Sequence, residues 1–162
     1  MYHTAGQRIT PFLWFNGRVE EAVNFYTTIF KDAQILNMSR LPGETPGVQG
    51  KAQMATFRIN GLEMMILDGG PLFTPTPAIS FFVKCETQEE VDYYWEKLSD
   101  GGTLSQCGWL DDKFGISWQI VPNALGRLMG DANPVKAKNV MNAMMKMIKL
   151  DIATLQAAYD SE

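Results

Sequence analysis

Few side chains in this sequence carry chemistry. Histidine occurs once, at His3, and cysteine twice, at Cys85 and Cys107. A nucleophilic cysteine needs a neighbouring base or a positive field to form its thiolate. Cys107 has only Lys113 near it in sequence, and His3 belongs to the N-terminal arm, so Cys107 reads as a small core or cleft residue. A catalytic divalent ion needs about three imidazole or anionic ligands, a set that one histidine does little to supply. Asp111 and Asp112 stand side by side in "DDKFG", where paired carboxylates read as solvated turn formers. Glu63 and Lys84 are a potential ion pair, or either could hold a charged ligand. Ser80 and Gln119 could bind a ligand's polar group or hydrogen-bond each other. The cluster Met141, Met144, Met145 and Met147 has the look of a soft metal surface, but its helical spacing favours an adaptable packing seam.

Composition removes several function classes. A net charge of −4 offers no nucleic-acid surface. No apolar run approaches the roughly 20 residues that span a bilayer, and "MYHTAGQRIT" holds no apolar leader stretch. Two cysteines are too few for a disulfide framework, so a reduced cytoplasmic setting is the expectation. With 46% apolar and 11% aromatic residues the chain can fill a core.

Two series of elements must position these residues. "TPFLWF" reads as a strand ending at Asn16-Gly17. A helix follows over 18–31, with Val19, Ala22, Val23, Tyr26, Ile29 and Phe30 at helical spacing. A strand at 34–40 leads into the loop "LPGETPGVQG". "AQMATFRI" and "LEMMILD" flank Asn60-Gly61, a strong hairpin signal. The order then recurs. "AISFFVKC" is a strand, Thr87 caps a helix that stops at Gly101-Gly102, and "TLSQCGWL" and "ISWQIV" flank a turn. Residues recur too: "NGLEMMIL" aligns with "FGISWQIV", and Glu20-Glu21 with Glu89-Glu90, which argues for a duplicated unit. After Pro122 come a short helix at 123–130, a helix from Pro134 through Ile148, and a last helix at 151–159.

The stretches "PFLWFNGRVEEAVNFYTTIF", "GLEMMILDGGP" and "GGTLSQCGWLDDKFGISWQIVP" resemble the PhnB-like branch of the glyoxalase/bleomycin-resistance/dioxygenase superfamily, also called vicinal oxygen chelate. Members often carry the name 3-demethylubiquinone-9 3-methyltransferase. The Gly-rich turn after a first parallel strand that usually holds S-adenosylmethionine has no counterpart here. The resemblance implies an α+β fold of two βαβββ modules at 8–69 and 78–122, together 8–122. A C-terminal helical tail at 123–162 belongs to the same domain. Each module curls into half of an open barrel, commonly completed in a homodimer.

Strand alternation then separates two faces. Phe12 and Trp14, Met64 and Ile66, Phe81, Val83 and Cys85, and Ile116, Trp118 and Ile120 form apolar faces expected under the helices. The mixed faces are expected to line the cleft, giving a candidate ligand site of Leu13, Phe15, Met65, Ser80, Phe82 and Gln119, with Trp109 closing one side. Metal-using relatives place ligands at points that correspond to Pro11, Met65, Ser80 and Gln119. None is a histidine or carboxylate, so the resemblance implies no metal site and no cofactor. Three readings stand: a metal-free binder of a small apolar or aromatic molecule; a lyase, isomerase or dioxygenase of the superfamily; or a dimeric protein with a vestigial pocket.

Overall fold

The computed structural model describes residues 6–43 and 49–161. His3 and part of the loop after Pro42 lie outside the described residues. The chain divides into two compact units, Met1–Pro75 and Thr76–Glu162.

In the first unit β1 (Phe12–Phe15) is followed by α1 (Val19–Ile29), β2 (Gln34–Pro42), β3 (Gln49–Ile59) and β4 (Leu62–Asp68). The sheet order is β1-β4-β3-β2, with β1 parallel to β4 and the other pairs antiparallel. The hairpin forms where Asn60-Gly61 stands, both residues at positive φ (46° and 80°), as a tight primed turn requires. Helix α1 buries Val19, Ala22, Val23, Tyr26 and Ile29, a stripe three and four residues apart. Glu20 and Glu21 sit in its first turn, where the helix dipole favours negative charge. The Tyr26 ring stacks on Phe57 with centroids 6.0 Å apart, which identifies the covered side of the sheet. Phe57 pairs with Met64, and Ala55 with Ile66, so these four share that side. Asp68 ends β4, accepts the Gly17 N–H at 2.8 Å and pairs with Lys51. The Lys51 ammonium and then the Gly17 amide hold its carboxyl below the usual range.

The second unit repeats the order with β5 (Ser80–Cys85), α2 (Gln88–Ser99), β6 (Thr103–Leu104), β7 (Trp109–Asp111) and β8 (Ser117–Pro122). Its sheet runs β5-β8-β7-β6, again with the first strand parallel to the last. Thr87 accepts the Glu90 N–H and caps α2, which buries Val91, Tyr94, Trp95 and Leu98. Cys85 is fully buried, and desolvation with the nearby Glu90 charge pushes its thiol up to about 11. That thiol stays protonated and inert at neutral pH.

Three helices follow: α3 (Asn123–Met129), α4 (Pro134–Met144) and α5 (Ile152–Asp160). They close over a core of Val121, Leu125, Leu128, Val140, Leu150 and Leu155, against which Met144 and Met147 pack. Met141 and Met145 remain exposed.

Two expectations are corrected here. The run "TLSQCGWL" is two strands, β6 and β7, because Cys107 and Gly108 turn the chain at φ 59° and 82°. Helix α4 stops at Met144 rather than running through Ile148. The carbonyls of Met147 and Ile148 instead accept the N–H groups of Cys107 and Gly108, both at 2.8 Å. After Met144 the chain tightens, with the Lys146 and Met147 N–H groups donating back only three residues, to Ala143 and Met144, at 3.1 and 3.0 Å.

Candidate functional site

Each sheet has one side under its helix and an opposite side, termed open, that the helix leaves uncovered and that in the second unit is exposed chiefly at Phe82 and Lys84. In the second unit, register defines the open side row by row. Ser80 pairs with Ser117, and Ser117 with Asp111. Phe82 pairs with Gln119, and Gln119 with Trp109. Lys84 pairs with Val121. Paired residues point the same way, so the middle row reads aromatic, amide, aromatic.

The polar groups of this face are tied together. Gln119 Nε2 donates to Ser80 Oγ at 2.9 Å. Ser117, only 1% exposed, donates its hydroxyl to Asp111 Oδ1 at 2.5 Å. Phe82 is 54% exposed although its backbone sits in a sheet, so its ring is open to a binding partner. Val121 belongs to the tail core, which closes the far end of the face. The tail also fixes Trp109: the preceding Gly108 is bonded to Ile148 on one side and accepts the Ile120 N–H on the other.

The first unit carries the same layout with other chemistry. Phe12 pairs with Met65 as Phe82 does with Gln119. Its open side presents Phe12, Trp14, Met65 and Leu67. Trp14 Nε1 donates to the Gly70 carbonyl at 2.9 Å, and its ring meets Phe73 edge-on at 5.1 Å.

Of the expected site residues, Met65, Ser80, Phe82, Trp109 and Gln119 stand on open faces. Leu13 and Phe15 do not. Leu13 pairs with Ile66 on the helix side, and Phe15 is 5% exposed. The parity expected for β1 is therefore reversed, and Phe12 and Trp14 take the open positions. Four successive apolar residues carry no alternation to read, so only the pairing with β4 decides the face. The same register sets Thr10, not Pro11, level with Ser80.

The carboxylate pair is also corrected. Asp112 is 3% exposed, not solvated. Its Oδ1 accepts the N–H groups of Phe114 (2.8 Å) and Ile116 (3.1 Å), and its Oδ2 accepts Trp118 Nε1 (2.9 Å). It is a turn anchor. Asp111, at the end of β7, is the one that faces the site, a role hidden by its place in an apparent loop. Cys107 lies in the β6–β7 turn with Sγ 3.8 Å from Met145 Sδ. Glu63 is 2% exposed and belongs to the first unit; Lys84 is exposed and belongs to the second.

Among the described residues, no three His, Cys, Asp or Glu side chains gather as a metal site would need. No helix is long and apolar enough to cross a membrane, again among the described residues.

Two βαβββ units, each with an open sheet face, define a glyoxalase/bleomycin-resistance-like protein. Residues 7–121 match the family described as 3-demethylubiquinone-9 3-methyltransferase. A PhnB protein of Bacillus cereus carrying that name is 42% identical, and the match covers 72% of this chain and 99% of that one with a TM-score of 0.65. The chain belongs to this family, in the PhnB-like branch of the superfamily. A Pseudomonas aeruginosa protein is 21% identical over 72% of this chain and 98% of its own, with a TM-score of 0.57, and shows likeness of fold. So does the fosfomycin resistance protein FosX of Listeria monocytogenes, solved with Mn(II) and sulfate. It is 20% identical over 70% of this chain and 88% of its own, with a TM-score of 0.50. No curated protein matches the sequence.

Proposed function

We propose that this chain is a metal-free binding protein for a small apolar or aromatic molecule. The ligand lies on the open face of β5, β8 and β7, against Phe82 and Trp109, with Ser80 and Gln119 as polar contacts. The observation that carries this reading is the middle row: an exposed phenylalanine, a hydrogen-bonded amide and a tryptophan on one side of a sheet. Apolar walls with a few placed polar groups are what small-molecule sites offer. Met65, with Trp14, gives the first unit a comparable apolar face.

The donor set argues against a divalent ion. Thr10, which the register sets level with Ser80, offers only a neutral hydroxyl, Met65 is a soft thioether, and Ser80 and Gln119 are neutral and already bonded to each other. Such a set does not fit Mn²⁺, Zn²⁺ or Fe²⁺, so no chemical step is assigned through a metal. The edge strands and the exposed Met141 and Met145 suit a homodimer interface, and a cytoplasmic setting accords with the two free cysteines.

A library of small aromatics, screened by tryptophan fluorescence and thermal shift, tests the site. Binders are expected to weaken about tenfold with Phe82→Ala, a truncation worth one to two kcal/mol of lost apolar contact, and to respond to Ser80→Ala and Gln119→Glu. Binders indifferent to all three would place the function elsewhere and leave the Ser80–Gln119 bond as a structural remnant.

A further inference from the structure

A pair of sulfurs stands apart from the polar groups of the sheet face. Cys107 Sγ lies 3.8 Å from Met145 Sδ, and neither residue is sealed in the core: Cys107 is half-buried and Met145 is 57% exposed. The other cysteine, Cys85, is fully buried. Sulfur is a weak donor and a weak acceptor, so a thiol resting on a thioether adds little to the fold. The backbone nevertheless holds the pair in place. The Cys107 and Gly108 N–H groups donate to the Met147 and Ile148 carbonyls and tie the β6–β7 turn to the segment after α4. Cys107 takes φ 59°, a left-handed conformation that favours glycine or asparagine. Outliers of this kind cluster at functional sites.

The separation of the sulfurs suits a metal ion. At a metal–sulfur distance of about 2.3 Å, two sulfurs 3.8 Å apart subtend about 110° at the ion. That is the angle of a three- or four-coordinate centre, and the exposed Met145 leaves the position reachable from solvent. Met141 stands one helical turn earlier, its carbonyl accepting the Met145 N–H at 3.0 Å, and is itself 42% exposed. Residues four apart share a helix face, so a second thioether stands beside the pair. Met144 and Met147 pack on the tail core instead. Thiolate with thioether selects Cu(I). Zn²⁺ takes thiolate, imidazole and carboxylate ligands, and no three such groups gather among the described residues.

We infer that Cys107 and Met145 form a site for a soft monovalent ion, Cu(I), which takes the place of the thiol proton as that proton leaves to solvent. The site is independent of the aromatic face. Its surface also suits a second copy, so stoichiometry is read per chain. Anaerobic titration of the full chain with Cu(I), against a chromophoric Cu(I) chelator, tests it. About one Cu(I) per chain is expected, and Zn²⁺ should not displace it. Cys107→Ser should abolish binding. Met145→Leu, a swap of similar volume at an exposed position, should weaken binding about tenfold or more, the scale on which metal sites respond to a lost supporting group. The Cys107 thiol of that variant should still react with a thiol reagent, which loss of structure at the turn would not leave intact. Unchanged affinity in Met145→Leu would reduce the site to a bare thiol and overturn the inference. So would binding that survives Cys107→Ser, or a wild-type chain that yields all its Cu(I) to the chelator.

Discussion

Replacing Asp112 with alanine is expected to lower the folding stability of the chain by about 4 kcal/mol. The carboxylate is buried and accepts three N–H groups, from Phe114, Ile116 and the Trp118 indole. Each donor stranded away from water costs about 1–3 kcal/mol, and water entering the vacated space recovers part of that sum. Small proteins are stable by only about 5–15 kcal/mol, so urea unfolding should show a large fall in midpoint. Asp112→Asn guards against a variant that fails to fold. Its oxygen can still accept the two backbone N–H groups, but its NH₂ then faces the Trp118 donor, and a loss of about 2 kcal/mol is expected. A loss below about 1 kcal/mol for the alanine variant, on the same scale, would mean that this turn is held by something other than Asp112.

Gly102→Ala should be nearly as damaging, by about 3 kcal/mol, an overpacking cost at the upper end of the usual range. A Cβ at this position would stand 2.1 Å from the Asp111 carbonyl oxygen and 3.0 Å from the Asp112 Cα. These are backbone atoms of a paired strand and cannot swing aside. The start of β6 would have to part from β7, displacing both Asp111 and Asp112. The neighbouring Gly101 is a milder control. At φ +72° it needs a left-handed backbone, and an added Cβ would meet the Lys113 Cβ at 3.3 Å, so alanine there should cost about 1–2 kcal/mol. Urea melts of the two variants should rank Gly102→Ala well below Gly101→Ala. Equal midpoints would show that β6 yields easily and contributes little.

Much of the fold was legible because local signals agreed with one another. Asn60-Gly61 between apolar runs is a hairpin, Thr87 caps α2, and the doubled order of elements is the order of the two units. Faces were legible wherever polar and apolar residues alternate, as in β4 and β8, where Met64, Ile66, Trp118 and Ile120 are buried. Alternation failed in β1, since Phe-Leu-Trp-Phe is apolar at every step and only the neighbouring strand fixes which ring turns inward. The acidic pair failed for a related reason. Asp111 and Asp112 look alike in sequence, yet one ends a strand and faces the site while the other collects three donors in the core. The length of α4 was hidden because the chain after Met144 tightens into three-residue bonds and is then held by Cys107 and Gly108, a turn far away in sequence. Ser80 and Gln119 were legible as a pair, since their strand positions alone bring them to one face.

Native mass spectrometry of the full chain, purified without chelator and paired with elemental analysis, tests the central claim most directly. The account expects protein that carries a small organic molecule and substoichiometric divalent metal, with the organic mass lost in Phe82→Ala and the metal content unchanged by Gln119→Ala. About one Mn, Zn or Fe per chain, lost on Gln119→Ala, would contradict it and return the protein to the metal-dependent chemistry of its superfamily.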